Sequence, residues 1–184
     1  MTSAHSARLL SLEEWDALPE DNSARIELQE GVLIVSPKPQ RRHQRAAARI
    51  WKQLDSQLPL GFEALLDFEI VVEAEFPATV RVPDVVVTRS DGPDKRVAAA
   101  EVVIAIEIVS PGSRRTDTVT KRSEYAEAGI PHYRIVDLDE PATLTALHLA
   151  GDFGYQEAPA VSGSFTTAEP FALTLQLDGL ADAR

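Results

Sequence analysis

The chain has 184 residues and a mass of 20.1 kDa, with 44% hydrophobic and 26% charged residues, which suits one soluble domain with a buried core. This composition excludes a disordered tail or fibrous repeat, and the absence of cysteine excludes a disulfide framework, a thiol nucleophile and a Cys-ligated zinc or iron–sulfur site. A net charge of −11 argues against a non-specific nucleic-acid coat, yet Pro37–Lys52 and Ser110–Arg122 hold ten of the 18 basic residues and one of the 29 acids, a pattern suited equally to local phosphate contact and to solvated helix faces.

In chain order, Ser11-Leu-Glu-Glu14 has the form of a capping box and predicts a short helix through Leu18, with a turn at Pro19–Ser23. Arg25–Gln29 and Val32–Ser36 predict a hairpin about Glu30-Gly31. Arg42–Leu58 is the best helix, because Ala46, Ile50, Leu54 and Leu58 recur at i+4. Glu63–Glu73 and Thr79–Thr88 read as two strands about a turn at Phe76-Pro77, and Glu101–Val109 as a strand covered on both faces. A helix is expected from Thr116 to Ala128, ending at Gly129. His132–Asp137 is a further strand, followed by short antiparallel strands around Leu144–Leu149, Gly154–Glu157 and Phe171–Leu177. Such strands flanking two helices imply an α/β domain with a mixed sheet. The longest apolar run, Val102–Ile106, is too short to cross a bilayer, and no signal peptide is evident, so a cytoplasmic protein without a membrane partner is expected.

Glu107 interrupts the run Val102–Val109, where an ionised carboxylate is expensive unless it has a partner. It is either one half of a buried salt bridge or a carboxylate held for a metal ion or proton transfer. Asp84 follows Pro83 and precedes Val85-Val-Val87; alone it reads as a turn residue, but if the two strands pair, both carboxylates converge. Hard oxygen donors without cysteine suit Mg²⁺ or Mn²⁺. Lys121 lies early in the following helix and alone reads as an exposed helix lysine, but it stands four residues before Tyr125 on the same face, so a Tyr125 packed on the sheet turns it inward towards Glu107. Replacing Lys121 by alanine is then expected to slow turnover with folding intact. Glu27 is a third acid for the site or a solvent-facing strand residue. No P-loop, G-x-S-x-G elbow or H-E-x-x-H helix is present. His43 reads as a polar helix residue or a phosphate contact, and Trp15 and Trp51 as core residues of their helices.

The ordered pieces Ile26-Glu-Leu-Gln-Glu-Gly31, Ser36-Pro37 with His43-Gln44, Val82-Pro-Asp-Val85, Glu107-Ile-Val-Ser-Pro111, Asp117…Lys121…Tyr125 and Ala128-Gly-Ile-Pro-His-Tyr133 with Val136-Asp137 resemble the Uma family of restriction-endonuclease-like proteins. The resemblance spans about Leu10 to Leu180. It implies membership of the PD-(D/E)XK nuclease superfamily and a restriction-endonuclease-like single domain over residues 1–184, with a mixed central β-sheet flanked by helices. A short N-terminal helix and hairpin would precede a core at about 40–140, and a β extension would follow it. Pro83-Asp84 would then be the PD element and Glu107 the second acid. Val109 stands where the usual lysine would be, so the resemblance assigns the amine to Lys121, with Glu27 as an additional acid.

The resulting expectation is a Mg²⁺-dependent (or Mn²⁺-dependent) endonuclease acting on DNA. Asp84, Glu107 and the backbone carbonyl of Ile108 would ligate the ion, Lys121 would serve the attacking water or the transition state, and Arg41, Arg42, Arg45, Arg114 and Arg115 would grip the DNA backbone. Cutting both strands favours a homodimer. The alternative is a catalytically idle module for DNA binding or protein interaction.

Overall fold

The computed structural model describes residues 8–19 and 24–183. The first helix, α1 (Leu12–Asp16), starts with the expected capping box: Glu14 N–H donates to Ser11 Oγ at 3.2 Å, and Ser11 N–H donates to the Glu14 carboxylate at 3.0 Å. Beyond Pro19, the expected turn at Pro19–Ser23 lies outside the described residues. The hairpin of β1 (Arg25–Gln29) and β2 (Val32–Ser36) turns through Glu30 and Gly31 at φ 46° and 77°, a two-residue turn with both residues in the left-handed region. Helix α2 (Arg41–Asp55) buries Ala46, Ile50 and Leu54, the stripe that its i+4 spacing predicts.

Two of the expected strands are each divided. Glu63–Glu73 becomes β3 (Phe62–Leu66) and β4 (Glu69–Glu73), separated at Asp67, whose φ is 49°. Thr79–Thr88 becomes β5 (Thr79–Arg81) and β6 (Val85–Arg89), separated at Val82-Pro83-Asp84, where proline cannot donate to a ladder. In each case the chain passes from one sheet to another. Next come β7 (Arg96–Ala98), not foreseen, and β8 (Val102–Val109). The expected Thr116–Ala128 helix opens with a π-helical turn, Thr116–Thr120, in which Lys121 N–H bonds Thr116 O; α3 proper is Lys121–Glu127. Strands β9 (His132–Asp137), β10 (Thr143–Leu149), β11 (Tyr155–Glu157), β12 (Val161–Ser162), β13 (Ser164–Thr167) and β14 (Leu173–Gln176) complete the chain.

The central sheet has the order β11-β10-β9-β8-β6-β3, with β12 also on β10; β8 and β9 run parallel and the other pairs antiparallel, so the sheet is mixed as expected. A second sheet has the order β2-β1-β5-β4-β7, and β13-β14 form a third. On one face of the central sheet, Val85, Val87, Ile104, Ile106 and Ile108 pack against α2 and the C-terminal leucines. On the other face, Val86, Ala105, Tyr133 and Tyr155 pack with Tyr125, Ile130 and Ile70. Among the described residues, no helix is long and apolar enough to cross a membrane.

Candidate active site

The antiparallel register of β6 and β8 ends at Val85 and Ile106, which leaves Asp84 just before β6 at the end of β8 where Glu107 stands. Both acids are 2% exposed. A bond between them and their neighbours fixes the arrangement: Ile108 N–H donates to Asp84 Oδ2 at 2.7 Å. The two expected acids lie near the same end of the central sheet, where the charge of Asp84 acts on Glu107.

Around Glu107, Lys121 Nζ donates to Oε1 at 2.8 Å and Tyr125 Oη donates to the same oxygen at 3.0 Å. Both bonds fall on one oxygen, Oε1. Lys121 is 4% exposed and also lies 3.0 Å from Glu27 Oε1 and 3.9 Å from Asp117 Oδ1. Glu27 is thus a buried acid of the cluster and not a solvent-facing strand residue. Its other partners are Val82 N–H at 2.9 Å and Arg81 at 3.1 Å, while Arg81, fully buried, grips Glu124 of α3 through two bonds of 2.7 and 2.6 Å. Four elements are tied by this chain of alternating charge.

Asp84 faces different partners. Arg25 Nη1 donates to its Oδ1 at 2.6 Å and Arg25 Nη2 to Val82 O. His43 Nε2 lies 3.2 Å from Asp84 Oδ2 and 3.0 Å from Ile108 O, while its Nδ1 is buried without a partner. A cleft of about 140 Å³ lined by Pro39, His43, Asp67, Asp84 and others opens beside these atoms.

The electrostatics separate the two acids. Burial opposes ionisation of Asp84, but the His43 hydrogen bond and the Arg25 charge hold its pKa down to about 2. Burial pushes Glu107 up to about 8; Lys121 opposes this rise and the charges of Asp84 and Asp117 reinforce it. Burial would lower the Lys121 ammonium, yet Glu107, Glu27 and Asp117 together raise it above its ordinary value. For Glu27, burial is outweighed by Lys121 and Arg81, and its pKa is lowered. Asp84 is thus held ionised by its partners, while Glu107 ionises only against the cost of its burial.

Residues 12–179 match the model of a protein family, Uma2, described as "Putative restriction endonuclease". The chain belongs to the Uma2 family. A solved structure of a "putative nuclease belonging to DUF820" from Anabaena variabilis superposes with a TM-score of 0.71 at 21% identity, covering 93% of this chain and 97% of that one. The fold of this Uma2 chain is accordingly restriction-endonuclease-like. No curated protein matches it.

Within the Uma2 fold, Val109 occupies the position after Ile108 but packs in the core, and Lys121 reaches Glu107 from α3 instead. One expectation needs correction. Lys121 is enclosed by carboxylates, so its replacement by alanine strands buried charges and cannot leave folding untouched. Arg114, half exposed, pairs with Asp137 at 2.7 Å and Asp139 at 3.3 Å, so a phosphate would have to compete with these acids for it. Arg42 bonds Leu138 O and lies 3.9 Å from Glu140; Arg41 and Arg115 are exposed and Arg45 half-buried. Arg25, Arg81 and the placement of His43 escaped sequence reasoning. His43 stands one turn before Ala46 on α2, a spacing that places it at the edge of the buried stripe; nothing in the sequence singles out the two arginines.

Proposed function

We propose that this protein is a divalent-cation-dependent endonuclease that hydrolyses DNA phosphodiester bonds. The observation that supports this reading is that Asp84 is bonded to Ile108 N–H, the residue after Glu107, while Lys121 is bonded to Glu107 itself. The donor set fits Mg²⁺ or Mn²⁺: all hard oxygens, one carboxylate held ionised, and two of them, Asp84 Oδ2 and Ile108 O, close enough to share the single Nε2–H of His43. Among the described residues no three His, Asp or Glu side chains gather as a metal cluster, and the backbone carbonyl supplies the third donor. A bound ion would polarise the scissile phosphate and lower the pKa of a water. Lys121, with Tyr125, fixes the orientation of the Glu107 carboxylate and offers positive charge near the phosphate. Glu27 holds Lys121 in place from β1. The exposed Arg41 and Arg115 are left to meet the DNA backbone.

The test is incubation of supercoiled, linear and single-stranded DNA with the protein in Mg²⁺ and in Mn²⁺, beside Asp84→Asn. Ion-dependent cleavage that falls at least about 10²-fold in the variant is the expected result; cleavage by neither protein overturns the reading. In that event the chain is a DNA-binding or protein-interaction module, which the Arg25–Asp84 pair favours by neutralising a ligand carboxylate. A homodimer that cuts both strands belongs to the same proposal. It is supported by the apolar edge strand β2, where Val35 is 65% exposed. A sedimentation mass near 20.1 kDa counts against it.

A further inference from the structure

We propose that the cleft between strand β10 and the helical flank formed by Arg114, Thr118 and Arg122 is a nucleobase subsite, which takes one unpaired base of the strand cut at Glu107. The subsite rests on the hydrolytic reading above for its substrate.

The sheet register carries this cleft to the reacting acid. Parallel pairing sets Ile135 of β9 beside Glu107 and Asp137 beside Val109; antiparallel pairing then sets Thr145 of β10 beside Ile135 and Thr143 beside Asp137. Paired residues point to one face, and neighbouring strands lie about 4.8 Å apart, so Thr145 stands about 10 Å across the sheet from Glu107, within reach of a nucleotide joined to the cleaved phosphate. The other wall is the outer flank of the helix whose inner flank holds Lys121. Arg114, Thr118 and Arg122 follow one another every four residues, about 12 Å from end to end at about 1.5 Å per residue. The π-helical turn Thr116–Thr120 lies in this wall, and such turns are frequent at functional sites.

The walls bound a cleft of about 280 Å³, twice the volume of the one beside Asp84. Sites for drug-sized ligands run from about 300 to 1,000 Å³, so this one suits a single ring system. Val109 and Ile135 give it an apolar floor, and Thr143 and Thr145 bring hydroxyls that both donate and accept. Each end carries an ion pair, Arg114 with Asp137 at one and Arg122 with Glu157 at the other. Positive charge is thereby cancelled within the cleft, so a bare anion gains little there. A nucleobase matches both members of each pair, with amines for the carboxylates and ring nitrogens or carbonyls for the guanidiniums. Inside a duplex its faces are stacked and its edge is paired, so the ligand is an unpaired base.

The experiment uses the full chain without metal and two probes, deoxycytidine and inorganic phosphate. Two-dimensional nuclear magnetic resonance follows the amides of Thr118, Thr143 and Thr145. Deoxycytidine should shift these resonances, and inorganic phosphate should not. Thr145→Leu fills the middle of the cleft and Glu157→Gln removes a carboxylate from its end. With folding verified by circular dichroism, both variants should bind deoxycytidine about fivefold or more weakly, the smaller figure for a lost base-reading contact. Equal shifts with inorganic phosphate, no shift with deoxycytidine, or unchanged affinity in both variants overturns the base subsite. If DNA is still cleaved in that event, the hydrolytic reading stands without it. Deoxycytidine binding in a protein that cleaves no DNA keeps the base site and overturns hydrolysis at Glu107.

Discussion

Lys121→Met is the substitution whose outcome depends most directly on the buried network. The methionine replaces the stem of the lysine and removes only its charge and donors. It leaves Glu107, Glu27 and Asp117, all at most 7% exposed, without the cation that lies 2.8, 3.0 and 3.9 Å away. Removing one partner of a buried ion pair costs about 3–5 kcal/mol. Glu27 retains Arg81, so the lower figure applies. At about 2–4 °C per kcal/mol for a chain of this size, a loss of about 3 kcal/mol lowers Tm by about 6–12 °C.

The pH dependence carries the sharper test. The folded pKa of Glu107 is about 8, above its ordinary 4.5, so between these values the folded state binds the proton that the unfolded state has lost. Stability therefore declines as pH rises through that window. Removing Lys121 raises the folded pKa further, so the deficit of the variant is smallest near pH 5 and widens above pH 8. Thermal unfolding by circular dichroism at both pH values measures it, and Lys121→Met/Glu107→Gln should recover part of the loss at the higher value. Catalysis should fall about 10²-fold in Lys121→Ala. Lys121→Arg should not restore it fully, since a planar guanidinium does not fit the place of a compact ammonium. A variant Lys121→Met within 2 °C of the parent at pH 8.5 would refute the buried network itself.

Two other outcomes bear on the frame around the site. The His132 pKa is lowered to about 4 by burial, with Arg134 and His148 adding charge repulsion. The unfolded state thus takes up a proton first as pH falls below 6.5, and the stability held above that value is lost on the way to pH 4. For this half-exposed ring the effect is about 1 kcal/mol after allowance for solvent screening, so His132→Gln should flatten the loss by that amount between urea titrations at pH 7 and pH 4.5; an unchanged slope counts against it. Gly31→Ala should cost about 1–3 kcal/mol, since φ is 77° and a Cβ there would lie 2.8 Å from Leu9 Cβ and 2.9 Å from Leu10 N; an equal denaturation midpoint would show that the Leu9–Leu10 segment does not close over the hairpin.

The hairpin, α2, β8 and β9 were legible because each carries a complete local signal: a turn dipeptide, an i+4 stripe or an unbroken apolar run. The divided strands were not. Leu66 and Glu69, or Arg81 and Val85, belong to different sheets, yet both sheets ask for apolar β-formers, so hydrophobic pattern does not mark the crossing. Pro83-Asp84 marks one crossing, and Asp67, in a left-handed conformation without glycine, marks the other. For the site, the acids stood out because each interrupts or abuts an apolar strand. The positions of Lys121 and Tyr125 followed from helical spacing. Arg25, Arg81 and Glu124 carry no such mark, because charged residues on short strands and helices usually face water. Only the third dimension turns them inward.

That inward placement explains why the site lies where it does. The two sheet crossings adjoin, with Asp67 N–H 3.4 Å from Asp84 O. At such a crossing the strands part, ladder bonds end, and carboxylates can enter without breaking a sheet. The cost of burying them is met by alternation along Glu124–Arg81–Glu27–Lys121–Glu107, which joins α3, β5, β1 and β8. Apolar residues of similar volume would hold the same elements at least as stably. A fold that instead keeps five alternating charges there forgoes that stability, a pattern expected where a reacting centre needs charge. This favours chemistry at Glu107 over a purely structural ion pair.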